Sequence, residues 1–162
     1  MRNLGLLLLR LASGLILVAH GYPKLFGGPG KKPHPIIAGA MGSNYPAAFE
    51  RSGPGFAAGL EKIGVPYPQL AATASALTEL GGGIALATGF MTRPVALAVA
   101  FNMGVAIRKA HWKVGFYGQG GYELAFLLGS AALSLALTGP GAISIRRRLR
   151  ARQPGRPESA SC

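Results

Sequence analysis

Residues 70–90 read LAATASALTELGGGIALATGF and contain a single charged residue, Glu79. A run of this length and apolarity is long enough to cross a bilayer as a helix, which needs about 20 residues. A charge in the hydrocarbon core costs about 2.5–3.5 kcal/mol on insertion scales. The segment therefore predicts a membrane helix, and Glu79 is expected either to pair with a basic group or to serve a site.

The composition of the whole chain also favours a membrane protein. Charged residues make up 14% of the chain, and the mean hydropathy is +0.33, whereas soluble domains contain about 25% charged residues. The net charge of +12 does not indicate nucleic-acid binding, because the basic residues lie between apolar runs and in the C-terminal tail, as in loops that flank membrane helices. The lone cysteine, Cys162, excludes a disulfide within the chain.

Four apolar segments predict the fold class, an all-α membrane protein built as a four-transmembrane-helix bundle. The helices are expected at about residues 4–26, 70–90, 94–110 and 122–140, in one membrane domain that covers 1–145. A long Gly/Pro-rich loop, 27–66, is inserted between helices 1 and 2, and it includes a short amphipathic helix at 54–63. We interpret the first segment as a retained span, broken near its end by Gly21 and Pro23, because Arg10 interrupts the apolar run of a signal peptide.

The basic residues predict the orientation. An even number of spans places both termini on one side of the membrane, and the predicted disordered tail at 146–162 contains six arginines. A dense arginine cluster directly after a helix favours the cytoplasmic side. Each side would hold eight basic residues, so the prediction rests on the density of the cluster.

Several polar residues are expected to lie at similar depth in the membrane, as judged by their positions along the predicted helices. At 1.5 Å per residue, His20, Glu79 and Glu123 lie at similar depth in the outer half of the bundle. Lys24 lies one turn above His20, and Arg10 lies closer to the cytoplasmic end, from where it is expected to reach Glu79 from below. Neutralisation of Glu79 by Arg10 or His20 follows as a hypothesis.

Beside Glu79, three small residues are spaced by four and are expected to form a stripe for close helix packing: Ala74, Thr78 and Gly82.

Each polar residue also has a structural interpretation that remains open. Arg10 can extend to the inner interface, and Glu79 can serve in a purely structural pair. Glu123 suits the first turn of a helix, where the helix dipole favours an anion. His20 can be a buried, hydrogen-bonded residue, and His111 with Trp112 suits an interfacial belt. The three histidines are widely spaced and the sequence has no Asp, so no metal-ligand motif is found.

Five motifs in order give a family resemblance: LLLRLASG (7–14), AHGYPKLF (19–26), TELGGG (78–83), TGFMTR (88–93) and LTGPGAIS (137–144). Together they resemble the DoxX family over roughly residues 1–145. The resemblance implies a four-helix bundle in a bacterial cytoplasmic membrane, with relatives that include the DoxD-type subunit of a thiosulfate:quinone oxidoreductase and partners of thiol and oxidative-stress enzymes. The family's polar positions fall on Arg10, His20, Lys24, Glu79 and Arg93.

Two departures from the family pattern stand out. The family often continues after Gly-Pro-Gly to Ser-Leu-Asp, whereas Ser144 is followed here by Ile145 and Arg146. The loop at 27–51 is longer than the family leads one to expect, which suggests docking to a partner.

From these observations we expect an integral membrane subunit of a quinone- or thiol-linked redox system. Glu79 and His20 are the predicted catalytic residues, and the predicted cofactor-binding residues are Arg10, Lys24, Glu79, Glu123 and Arg93. The cofactor remains open, with a quinone as the candidate, and no metal is expected. The alternatives are a structural scaffold subunit and a small-solute or proton pathway. Expected partners are membrane lipid and other protein subunits, contacted through 27–66 and the tail; a homo-oligomer remains open, and no nucleic acid is expected.

Overall fold

The structure is a computed structural model that describes residues 1–145. Within this range the chain is helical and has no strand, which confirms the all-α class. The elements in order are α1 (Arg2–Phe26), α2 (Pro35–Met41), α3 (Tyr45–Arg51), α4 (Pro54–Lys62), α5 (Pro68–Thr88), α6 (Thr92–Ala106), a π-helical turn (Ile107–His111) and α7 (Glu123–Thr138). The predicted basic tail at 146–162 lies outside the described residues.

The four longest helices, α1, α5, α6 and α7, occupy the four apolar segments and pack into one bundle. Helix α1 lies against α5, and α6 lies against α7. Buried side chains from all four helices form the shared core: Leu17, Leu86, Val99 and Leu135. Among the described helices, α1 and α5 are long and apolar enough to cross a membrane, whereas α7 is a shorter apolar helix. A bundle of four spans is therefore not established by helix length alone.

Glycines set the close approach of α1 to α5. A Cβ added at Gly83 would lie 2.7 Å from the carbonyl oxygen of Gly14, and one added at Gly14 would lie 2.6 Å from that of Gly83. The predicted stripe of small residues is correct only at Gly82, which packs against Val99 of α6. Ala74 is exposed and Thr78 only half-buried, and the buried face of α5 instead contains Ala72, Ala76, Glu79, Gly82, Gly83 and Leu86.

The predicted loop at 27–66 is largely helical, which corrects the expectation of irregular structure. Helices α2, α4 and α5 begin at Pro35, Pro54 and Pro68. Proline suits the first turn of a helix, where its missing N–H has no intrahelical partner to lose. The predicted amphipathic helix at 54–63 is confirmed as α4, which packs on α5.

Helix α1 continues through Pro23 to Phe26, so the predicted break does not occur. Proline has no N–H to donate to the carbonyl four residues earlier, and that carbonyl belongs to Ala19. The hydroxyl of Tyr45 on α3 donates to the Ala19 carbonyl oxygen at 3.2 Å. Burial and the neighbouring Tyr22 raise the pKa of Tyr45, so the hydroxyl keeps the proton that it donates. Helix α3 thereby satisfies the carbonyl that the proline leaves open.

Arg10 is 1% exposed and fixes the opposite end of the bundle. Its guanidinium donates to four backbone carbonyls: Leu86 at 2.8 Å, Ala87 at 2.9 Å, Ile143 at 2.7 Å and Pro140 at 2.5 Å. The first two lie in the last turn of α5, where carbonyls lack some of their intrahelical donors. Gly89, with φ of +75°, leaves room for the guanidinium, since a Cβ there would lie 2.9 Å from Arg10 Cζ. The hypothesis that Arg10 pairs with Glu79 is wrong, because its donors are used on carbonyls.

We predict that Arg10→Leu lowers the free energy of unfolding by at least about 3 kcal/mol, since it removes several hydrogen bonds to a charged group. The stability of Arg10→Lys should lie between that of the wild type and that of Arg10→Leu, because one ammonium cannot reproduce the planar fork of a guanidinium. The measurement is unfolding in detergent. Arg93→Leu is the matched control, because Arg93 is exposed at the same end and should change stability by less than about 0.5 kcal/mol. Equal effects of Arg10→Leu and Arg93→Leu would refute the role of Arg10.

Candidate functional site

Glu79 is 5% exposed and lies on the face of α5 that meets α1. Its Oε1 accepts hydrogen bonds from Lys24 Nζ at 2.6 Å, from Asn102 Nδ2 at 3.3 Å and from Ser75 Oγ at 3.4 Å. Its Oε2 is buried and has no hydrogen-bond partner among the described residues. A carboxylate with one fully used and one unused oxygen retains capacity to accept a hydrogen bond.

Lys24 reaches Glu79 because α1 comes unusually close to α5 one turn earlier. A Cβ added at Gly21 would collide with the backbone nitrogen of Leu80 and lie 2.9 Å from Glu79 Cβ. The glycine therefore lets the two helices touch, and Lys24 follows it by three residues on the same helix. The ammonium also lies 4.4 Å from the ring centroid of Phe56, which belongs to α4. This is a cation–π distance, so α4 covers the ion pair.

A cavity of about 420 Å³ lies between the four long helices beside this ion pair. Apolar side chains form much of its wall, including Leu17, Met103 and Leu128. Its polar lining residues are His20, Lys24, Glu79, His111 and Glu123. A smaller cavity of about 130 Å³ lies under α4 and shares Lys24, Glu79 and His111 with the first. The ion pair is therefore the point where two cavities meet.

The structure brings together four of the residues that the sequence proposed: Glu79, His20, Lys24 and Glu123. It does not bring Arg10 or Arg93 to this cavity. Arg10 binds carbonyls in the last turn of α5, seven or eight residues beyond Glu79, which is about 10–12 Å along the helix. Arg93 is exposed, and its guanidinium lies near Gly139 at that same end.

Three residues of the site were missed by the sequence analysis. Asn102 and Ser75 both bond to Glu79, and each had a detectable signal. Asn102 is a lone amide in the apolar run of α6, and Ser75 precedes Glu79 by four residues, the spacing of helical neighbours. His111 was interpreted as part of an interfacial belt, yet it lines both cavities, and its Nδ1 lies 2.7 Å from the Gly120 carbonyl oxygen.

The arrangement suits a small ligand with an apolar body and a polar head. The volume of the larger cavity, about 420 Å³, lies within the range of about 300–1,000 Å³ that is typical of ligand pockets. Apolar walls with a few convergent polar groups orient such a ligand, and the carboxylate and imidazole groups can exchange protons with it. Within residues 1–145, no group of three His, Cys, Asp or Glu residues is arranged to hold a metal ion.

We predict strong coupling between Lys24 and Glu79, since removing one partner of a buried pair typically costs about 3–5 kcal/mol. The single variants Lys24→Met and Glu79→Gln should each be destabilised, and the double variant should be more stable than the sum of the two losses implies. The measurement is a double-mutant cycle of unfolding in detergent. The cycle of Arg10→Leu with Glu79→Gln is the control and should be additive within about 0.5 kcal/mol. Additive losses for Lys24 and Glu79 would contradict the pairing.

Comparison with known proteins places the chain in a family. The sequence profile of the DoxX family matches residues 5–112. The chain is 30% identical over 149 residues to the inner membrane protein YphA of Escherichia coli K12, which covers 88% of this chain and 89% of that protein. It is 37% identical over 94 residues to the inner membrane protein YqjF of the same organism, with 56% and 68% of the two chains covered. No solved structure matches the chain significantly. Since the profile match extends over more than half of its length, the chain belongs to the DoxX family.

Proposed function

We propose that residues 1–145 form a bundle of four membrane spans in a bacterial inner membrane. Two relatives bear the name inner membrane protein, and α1 and α5 have the length and apolarity of spans. The 15 residues of α6 run directly into the 5 residues of the π-helical turn, which together extend about 30 Å and match the hydrocarbon thickness. Helix α7 packs along α6 and has 16 residues, of which only Glu123 is charged.

Both termini lie on the cytoplasmic side in this proposal. Arg2 and Arg93 lie in the first turns of α1 and α6, and six arginines follow Ile145 in the sequence. The bias of short arginine-rich flanks toward the cytoplasm supports this orientation. Helices α2–α4 and the cavity then lie toward the outer face.

The function that the geometry supports best is binding of a quinone-class redox lipid in the 420 Å³ cavity. The observation that carries this proposal is the Lys24–Glu79 pair in the wall of a largely apolar cavity, with His20 on the same cavity. A quinone head group is a flat apolar ring with oxygens on opposite edges, and its reduction requires protons as well as electrons. Basic and acidic side chains at membrane depth can bind those oxygens and exchange those protons.

In this role the chain is a membrane subunit of a redox system and depends on a partner for electrons. Within residues 1–145 there is no cysteine and no set of metal-binding side chains. The exposed surface of α2–α4 and the basic tail are the segments that we propose for contact with protein partners. A scaffold subunit without chemistry is the alternative that the following experiment distinguishes.

We predict that the purified protein binds a short-chain ubiquinone, and that Glu79→Gln and His20→Gln weaken this binding about tenfold or more, because each removes a group that bonds to or exchanges protons with the head group. The measurement is a binding titration in detergent, after gel filtration shows that each variant is folded. Glu61→Gln is the matched control, since it makes the same chemical change on the exposed face of α4, and it should leave binding unchanged. Binding that is equal in all four proteins would favour the scaffold.

A further inference from the structure

We infer that His111 accepts a hydrogen bond from the ligand and makes the cavity selective for the reduced, hydroquinone form of a quinone. This inference rests on the proposed function and specifies the ligand of the same site. It starts from the π-helical turn Ile107–His111 that ends α6. Single π-helical turns in α-helices are frequently found at functional sites, and this one ends on a histidine that lines both cavities.

The hydrogen bond of the ring fixes its tautomer. His111 Nδ1 lies 2.7 Å from the carbonyl oxygen of Gly120. A carbonyl oxygen can only accept a hydrogen bond, so Nδ1 is the nitrogen that holds the proton. In the neutral imidazole, the other nitrogen, Nε2, is then an acceptor. The same bond ties the end of α6 to the glycine-rich segment 118–121, which also contributes to the cavity wall.

The other polar groups of the cavity are also mainly acceptors. The carboxylates of Glu79 and Glu123 can only accept when they are ionised, and Glu79 Oε2 has no donor among the described residues. The ammonium of Lys24 gives one of its three N–H groups to Glu79 Oε1 and faces the ring of Phe56. His20 can donate with one ring nitrogen and accept with the other. Among the side chains that line this cavity, acceptor atoms that lack a donor therefore outnumber donors that lack an acceptor.

The balance of donors and acceptors decides between the two forms of the ligand. A quinone offers two carbonyl oxygens, which only accept, whereas a hydroquinone offers two hydroxyl groups, which donate. A buried acceptor that a ligand leaves without a donor loses affinity, because its interactions with water are not replaced. The hydroquinone therefore satisfies His111 Nε2 and one carboxylate, and the quinone satisfies neither.

The test compares two histidine replacements that separate the two ring nitrogens. In His111→Asn the amide nitrogen takes the place of Nδ1, so the bond to Gly120 is kept and the Nε2 acceptor is lost. In His111→Gln the longer side chain places its amide near the position of Nε2, so an acceptor is kept and the bond to Gly120 is lost. The measurement is anaerobic titration of the detergent-purified full chain with reduced and with oxidised ubiquinone-1.

The wild-type protein should bind the hydroquinone about tenfold more tightly than the quinone, the effect of about one hydrogen bond. His111→Asn should reduce this preference severalfold, to the part that the carboxylate contributes, and His111→Gln should keep most of it. Equal binding of both forms by the wild type would overturn the inference and leave the proposed function standing. A preference that is unchanged in His111→Asn would also overturn it. Absence of binding of either form would overturn both.

Discussion

The ion pair between Lys24 and Glu79 is the interaction on which the site depends. A carboxylate that is 5% exposed in an apolar bundle is tolerated only with a partner, and that partner is reached 2.6 Å away through the close contact at Gly21. The pair holds the last turn of α1 on α5 and lies beneath Phe56 of α4. It also lies where the two cavities meet. Lys24 and Glu79 therefore stabilise the bundle as an ion pair, and the same two side chains also line both cavities.

Arg10, in the N-terminal half of α1, solves the opposite problem. There the unsatisfied groups are backbone carbonyls at the end of α5 and in the segment after α7, and a guanidinium provides several donors in one plane. Lysine suits the single carboxylate of Glu79, whereas arginine suits a set of carbonyls in different directions. Helix α1 is thus attached to its neighbours by two cations, Arg10 and Lys24, and the glycine contact between Gly14 and Gly83 lies between them.

Much of the bundle could be predicted from the sequence, because apolar runs of helical length are a strong signal. Counting residues along these runs placed His20, Glu79 and Glu123 at one depth, and they line one cavity. The count gave depth but not direction around each helix, so it named Arg10 or His20 as the partner of Glu79 where the structure has Lys24. The same limit misplaced the packing face of α5 on Ala74 and Thr78.

Other features had no local signal in the sequence. Helices α2 and α3 within 27–66 were hidden by the glycine and proline content of the segment, although proline at a first helical turn is compatible with a helix. Two carbonyl partners of Arg10, Pro140 and Ile143, lie in the segment after α7. The path by which this segment returns to α1 cannot be predicted from the periodicity of apolar residues. The position of His111 at the cavity depends on the π-helical turn and on a contact with Gly120 nine residues away.

The most direct test of the central claim, that the cavity beside Lys24 and Glu79 binds a quinone-class ligand, is photo-crosslinking with an azidoquinone followed by mapping of the labelled peptides. The account predicts labelling near His20–Lys24 and within residues 111–125, and loss of that labelling when excess ubiquinone-1 competes. Labelling confined to exposed side chains such as Leu97, Phe101 and Leu137, unaffected by competition, would contradict it.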